Sequence, residues 1–262
     1  VWDDPIASRK LEDMTRTDFR EWRKRLQEGR QNRSVNRQVR AVVAGLNRAV
    51  AEGHSGNPEA WNIDPLADDV EIEEPLFLTP KHRASIIDAA SPACGDVLRA
   101  IEYTGGRPGE LAATTTADLD KKGATLTLRH KKGRPPKVRA RGVVLSDDAL
   151  AFFKGHAKGK TPKVHLLLDP NGNPWSRHKW ADEVQAAITA VNDNARGEAR
   201  IPKGASAYSF RHARISELLQ DYGIDPLTVA NQTGTSVRMI EQHYHRFIAP
   251  ALRKKLAQID SK

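Results

Sequence analysis

The residues best suited to chemistry lie in the last quarter of the chain. Arg211 and His212 sit within Ala207–Arg214, and Tyr244 follows Arg211 by 33 positions (244 − 211) among Gln242, His243, His245 and Arg246. A phenol becomes a nucleophile once its proton leaves, and a guanidinium grips two phosphate oxygens with a planar fork. Imidazoles and hydroxyls such as His212, Tyr208 and Thr235 can hold or move a proton. Together these residue types suit a phosphodiester presented to Tyr244. The stretch reads as two short helices, the first with Tyr208, Arg211 and His212 on one face. A tyrosine near a C-terminal helix is by itself more often a packing residue, so Tyr244 needs partners elsewhere in the chain. His243 and His245 form a His-x-His pair with no third ligand at zinc spacing, and no metal site is expected.

Partners of the right type lie upstream. In Thr104–Leu111 two glycines turn the chain, and Pro108 suits a first helical turn. That places Arg107 at a tight, buried helix start, with Glu110 three positions on to accept from a guanidinium. Thr125–Arg129 and Val138–Leu145 read as the two arms of a β-hairpin, with Lys131, Lys132, Arg134 and Lys137 crowding its tip. Mutually repelling charges at a turn are either solubilising or serve a polyanion that enters there. A helix capped by Ser34 buries Val35, Val42, Val43, Leu46 and Val50 and presents Asn36, Arg37, Arg40 and Arg48. That face is either merely solvated or follows a phosphate backbone.

Composition narrows the partner. Forty-two Lys and Arg against 33 Asp and Glu give a net charge of +9, which favours nucleic acid first and an acidic membrane second. No apolar run approaches the ~20 residues of a membrane span, and no signal peptide opens the chain. The single cysteine, Cys94, excludes a disulfide framework and a cysteine-rich zinc site and points to a reducing compartment.

The elements that must position these groups are mostly helical. Phe19, Trp22 and Leu26 form one apolar stripe in the first helix. The acidic run Asp68–Glu74, closed by Pro75, is a linker candidate, giving domains over 1–74 and 75–262. Val1 in place of a methionine points to an excised fragment with an upstream piece missing. Thr79 and Pro80 restart a helix by the cap-then-proline rule, and Ala249–Ile259 has helical spacing at Leu252, Leu256 and Ile259. The fold class is mainly α with a small β-sheet.

Taken in order, Gly106-Arg107-Pro108-Gly109-Glu110-Leu111, a hairpin lysine, Tyr208-Ser209-Phe210-Arg211-His212 and Tyr244 resemble the tyrosine recombinases, the phage-integrase family, over residues 15 to 250. The resemblance implies a helical core-binding domain followed by a mixed α/β integrase-type catalytic domain, the two clamping duplex DNA. It implies that Tyr244 attacks the scissile phosphate, leaves a 3′-phosphotyrosine and releases a 5′-hydroxyl, with neither ATP nor metal as cofactor. Arg107 and Arg211 match the pair that holds the non-bridging oxygens, and Glu110 matches the acid that supports the first arginine. Lys131 matches the lysine that protonates the leaving oxygen, with Lys132 as the alternative in a longer loop than usual. Arg37, Arg40, Lys132, Arg134 and Lys137 would contact DNA.

The resemblance also implies a homo-oligomer, a dimer on one site and a tetramer in synapsis, with the tail after Tyr244 docked on a neighbouring protomer. Accessory DNA-bending or directionality proteins would be further partners. A cytoplasmic, bacterial or phage-encoded protein that integrates or excises a mobile element is the function it implies. Two positions depart from the family pattern. Tyr208 stands where a histidine is usual, and Thr235, nine positions before Tyr244 (244 − 9), stands where histidine or tryptophan is usual. A phenol is a poorer base than an imidazole at neutral pH, so His212 either compensates or is a core histidine bonded to backbone. The departures leave a second reading open, a DNA-binding regulator of the same fold with weakened catalysis. A third is a topoisomerase-like enzyme that nicks and reseals.

Overall fold

A computed structural model describes residues 3–67, 75–132 and 137–260. The chain divides into two compact units, Val1–Glu73 and Glu74–Lys262. Among the described residues no helix is long and apolar enough to cross a membrane.

The first unit pairs α1 (Arg16–Gln27) with α2 (Asn32–Ala51). Thr15 and Asp18 start α1 with a reciprocal capping box. Phe19 and Trp22 are fully buried and meet edge to face at 4.9 Å, packed with Val35, Val39 and Trp61. α2 starts earlier than its sequence suggests. Gln31 is its cap residue without a side-chain bond, and the Gln31 carbonyl accepts from Ser34 N at 2.9 Å, so Ser34 already lies inside the first turn. Asn36 is likewise not on the outer face. It is buried, and its amide pins the Leu66 backbone through Nδ2 to O (2.8 Å) and Oδ1 from N (2.9 Å). Two backbone groups that would otherwise be unpaired explain why a polar residue is kept inside.

The second unit comprises α3 (Pro80–Ala89), α4 (Pro92–Thr104), α5 (Pro108–Ala112), β1 (Leu119–Asp120), β2 (Thr125–Lys132) and β3 (Lys137–Val144), then α6 (Asp147–Ala157), α7 (Arg177–Asn194), α8 (Ala207–Gln220), α9 (Pro226–Thr233) and α10 (Val237–Asp260). The small sheet is antiparallel in the order β1-β2-β3. Leu126 pairs with Val143 and Leu128 with Arg141, so these four side chains share the face turned to the core. α4 packs on α8, α8 on α9 and α10, and α9 on β3. The Gln232 amide clips α9 to the end of β3, accepting from Val144 N (3.1 Å) and donating to Val144 O (2.8 Å).

The last quarter differs from the expected pair of short helices. α10 is one continuous helix through Tyr244 to Asp260, so residues 249–259 extend the helix that carries the tyrosine. Leu252 and Leu256 lie exposed on it. The linker at 68–74 and Arg134 lie outside the described residues, as do the side chains of Lys131, Lys132 and Lys137.

Candidate active site

Two helix ends and one tight turn build the basic half of the site. α4 ends at Gly105, whose φ of +64° is costly for any other residue. A Cβ there would meet Thr233 Cγ2 at 2.7 Å, and one at Gly106 would meet Leu128 Cδ1 at 2.8 Å. The glycine pair thus lets the turn pass between α9 and the sheet. Arg107 then caps α5 just ahead of Pro108, its side chain half-buried. Glu110, buried, accepts from Arg107 N (3.2 Å) and Arg107 Nη1 (2.9 Å). Its second strong partner is Arg141 Nη2 at 2.6 Å, while His130 Nδ1 lies 3.9 Å away. Burial alone would raise the Glu110 pKa, but the bonds and charges of Arg141 and Arg107 outweigh it and hold the carboxyl below its ordinary value.

Arg211 is buried and, among the described residues, has no carboxylate partner in direct contact. Its Nη1 donates to the Gly105 carbonyl (2.5 Å) and to the Thr233 carbonyl. Both acceptors stand at helix C-termini, where carbonyls lack intrahelical partners and the dipole favours a cation. α9 ends at Thr233 because Gly234 takes a left-handed φ of +71°. Burial, then the charge of Arg107, pulls the Arg211 pKa down to about 10, so the guanidinium still carries its charge at neutral pH.

Tyr244 enters from the other side. Ser236 starts α10, its Oγ accepting from Met239 N at 3.2 Å. Ile240 and Tyr244, one turn apart, pack with Ile215, Leu219 and Val229 of α8 and α9. The Tyr244 ring is buried, and its Oη is hydrogen-bonded to Nδ1 of His212. Burial pushes the phenol up to about 12, with the Arg211 charge pulling the other way. Burial, then the charges of Arg211 and His243, pushes His212 down to about 4. Both groups are therefore neutral at neutral pH. Either the phenol donates to a bare Nδ1 or Nδ1–H donates to the phenol oxygen, and only the first tautomer leads the proton off the phenol.

The structure thus brings Arg107, Glu110, Arg211, His212 and Tyr244 into one electrostatically connected group. Tyr208 stands apart from the hydrogen bond: it is 48% exposed, its ring centroid 6.4 Å from that of His212. Thr235 is half-buried in the α9–α10 turn, its N–H bonded to Ala230 O at 3.1 Å. The contact to Arg211 falls two positions earlier, on a backbone carbonyl. The backbones of Lys131, Lys132 and Lys137 lie in the hairpin, where Lys131 pairs with Val138 and Lys132 with Lys137. Arg37 and Arg40 are exposed on α2 of the first unit, and Arg40 lines a cleft of about 490 Å³ with Arg23, Asn47 and Trp61.

Arg141 is the site residue that sequence reasoning missed. Its signal is the alternation of β3, in which position 141 falls in step with Val143 on the core face, where a charged residue needs a reason.

No protein-family model matches the chain, and no curated protein does. Solved structures do. A Tn1549 transposon integrase in complex with a circular intermediate DNA is 19% identical with a TM-score of 0.71, over 92% of this chain and 84% of that one. A lambda integrase dimer bound to a core site is 17% identical with a TM-score of 0.65, over 90% of this chain and 81% of that one. At such identities the likeness is one of fold, and the fold of this chain is that of the tyrosine-recombinase integrases.

Proposed function

We propose that the chain is a site-specific DNA recombinase of the integrase kind, which cleaves and rejoins duplex DNA through a 3′-phosphotyrosine. The observation that carries this reading is the Tyr244 hydroxyl held by His212 beside the carbonyl-bound guanidinium of Arg211, within an integrase fold. In this reading Tyr244 Oη attacks phosphorus, its proton passes to His212 Nδ1, and the bond from phosphorus to the 5′-oxygen breaks. Lys131 or Lys132 protonates the leaving oxygen. Arg107, oriented by Glu110, and Arg211 stabilise the charge that grows on the non-bridging oxygens. Tyr208 and Thr235 line the rim as phosphate or DNA contacts.

Residues 1–74 serve as core-binding domain, and 75–262 as catalytic domain. Arg37, Arg40, Lys132, Arg134 and Lys137 contact the DNA backbone, and the tail of α10 joins protomers into the dimers and tetramers that recombination needs. The unliganded site is a resting state. With burial pushing the phenol up to about 12 and the imidazole down to about 4, the proton rests on Tyr244 and its transfer to His212 is uphill. A phosphodiester anion bound beside His212 would raise the imidazole and lower that step, which couples cleavage to DNA binding.

A nicked suicide substrate tests the reading. An adduct that survives denaturant and is lost in Tyr244→Phe is the expected result. No adduct from the wild-type protein on its own site would favour the DNA-binding regulator, and nicking and resealing without exchange between two sites would favour the topoisomerase. A bridging 5′-thio substrate, whose leaving group needs no proton, should rescue whichever of Lys131→Ala and Lys132→Ala has lost the general acid.

A further inference from the structure

We infer that Arg141 is a positioning residue that sets Arg107 and Arg211 relative to one another, an inference that rests on the reading of the site given above. One guanidinium nitrogen touches the supports of both arginines. Arg141 Nη2 donates to Glu110 Oε2 at 2.6 Å and to the Thr233 carbonyl at 3.1 Å. The other oxygen of Glu110 holds Arg107 Nη1 at 2.9 Å, and the same Thr233 carbonyl accepts from Arg211 Nη1. A continuous chain therefore runs from Arg107 through Glu110, Arg141 and Thr233 to Arg211. It bridges an arginine at the α5 start and an arginine on α8 that are 104 positions apart (211 − 107).

The surroundings are shaped for this side chain. A Cβ at Gly234 would run into the Arg141 guanidinium, so the glycine that ends α9 also makes room for it. Gln232 fastens Val144, three positions along β3, to the same helix. Arg141 Nε is buried among these groups.

The test measures adduct formation on the suicide substrate as a function of DNA concentration, with Arg141→Gln and Arg141→Lys. The maximal rate should fall by roughly 100-fold in R141Q, with half-saturating DNA within about threefold of wild type. R141K, which keeps the charge without the planar fork, should recover part of the loss. Because Arg141 acts through Glu110, the double variant R141Q/E110Q should be little slower than E110Q alone. A maximal rate near wild type in R141Q, a loss confined to DNA affinity, or losses that multiply in the double variant would each overturn the inference. If R141Q does not fold, R141K is judged by the same split and the same cycle. Should the wild type form no adduct, the functional reading fails separately. Nitrogen-15 spectra of the arginine side chains then decide: restricted Nη rotation of Arg107 and Arg211 that persists in R141K or R141Q overturns the inference, and its loss supports it.

Discussion

Nδ1 of His212 and the phenol oxygen of Tyr244 are hydrogen-bonded across the α8–α10 contact, and both groups are neutral at neutral pH. Only the imidazole titrates within the ordinary range, and it does so below its unfolded value of 6.5, at about 4. In the unfolded chain His212 gains a proton as pH falls through 6.5, whereas in the folded chain it resists until about 4. Its contribution is therefore complete above the unfolded value and is lost on acidification between the two, about 3 kcal/mol in all. Urea unfolding at neutral pH and near pH 4 should show the wild type losing more stability than His212→Gln by about that amount. An equal loss in both proteins would show that His212 is not kept neutral by the fold.

Arg211→Lys separates charge from geometry. The ammonium keeps the charge but does not reproduce the fork that reaches the Gly105 and Thr233 carbonyls. Stability should drop by about 1–3 kcal/mol through the carbonyls left unpaired. Adduct formation should fall by roughly 100-fold or more, beyond what the lost stability explains. Thermal unfolding and single-turnover cleavage on the same preparation check both.

Glycine substitutions should act in opposite directions. Gly234→Ala meets both a φ of +71° and the Arg141 guanidinium, and should destabilise the second unit by about 1–3 kcal/mol. Gly45 lies within α2 with nothing in reach of an added Cβ, so Gly45→Ala should stabilise the first unit by about 0.5–1 kcal/mol. Differential scanning calorimetry of the two variants reads both signs.

Arg83 holds α3, α4 and α8 together, with Nε on Glu102 (2.7 Å), Nη1 on the Leu78 carbonyl (2.9 Å) and Nη2 on Glu217. The guanidinium is buried, so among the described residues Arg83→Met leaves the Leu78 carbonyl and Glu102 unpaired and Glu217 with only the more distant Arg214. A loss of about 1–3 kcal/mol is expected, measured as a shift in the denaturant midpoint.

Much of the fold was legible because it is written in local chemistry. Thr79 before Pro80, the alternation of 125–129, and the Phe19–Trp22 stripe each announce an element from residue types alone. Glu110 under Arg107 was legible for the same reason, since three positions at a helix start bring the two together. The partners of Arg211 were not, because a backbone carbonyl has no residue type to read. Asn36 and Arg141 were misjudged or missed as polar residues on inward positions, where the reason for burial is a distant backbone or carboxylate. The continuity of α10 was hidden because Pro250 reads as a helix end, whereas the helix runs on through it.

Arg211 bound to carbonyls rather than to a carboxylate has an electrostatic consequence. Among the described side chains of this chain of contacts, three guanidinium groups, on Arg107, Arg141 and Arg211, stand with one carboxylate, Glu110, which touches the first two. The local sum is +3 − 1 = +2. A resting phosphodiester is a monoanion, whereas the five-coordinate species made by adding a phenolate to it is a dianion. In the proposed reaction the site would be over-charged for its substrate and matched to the fleeting dianion, so attraction would strengthen as the new bond to Tyr244 forms.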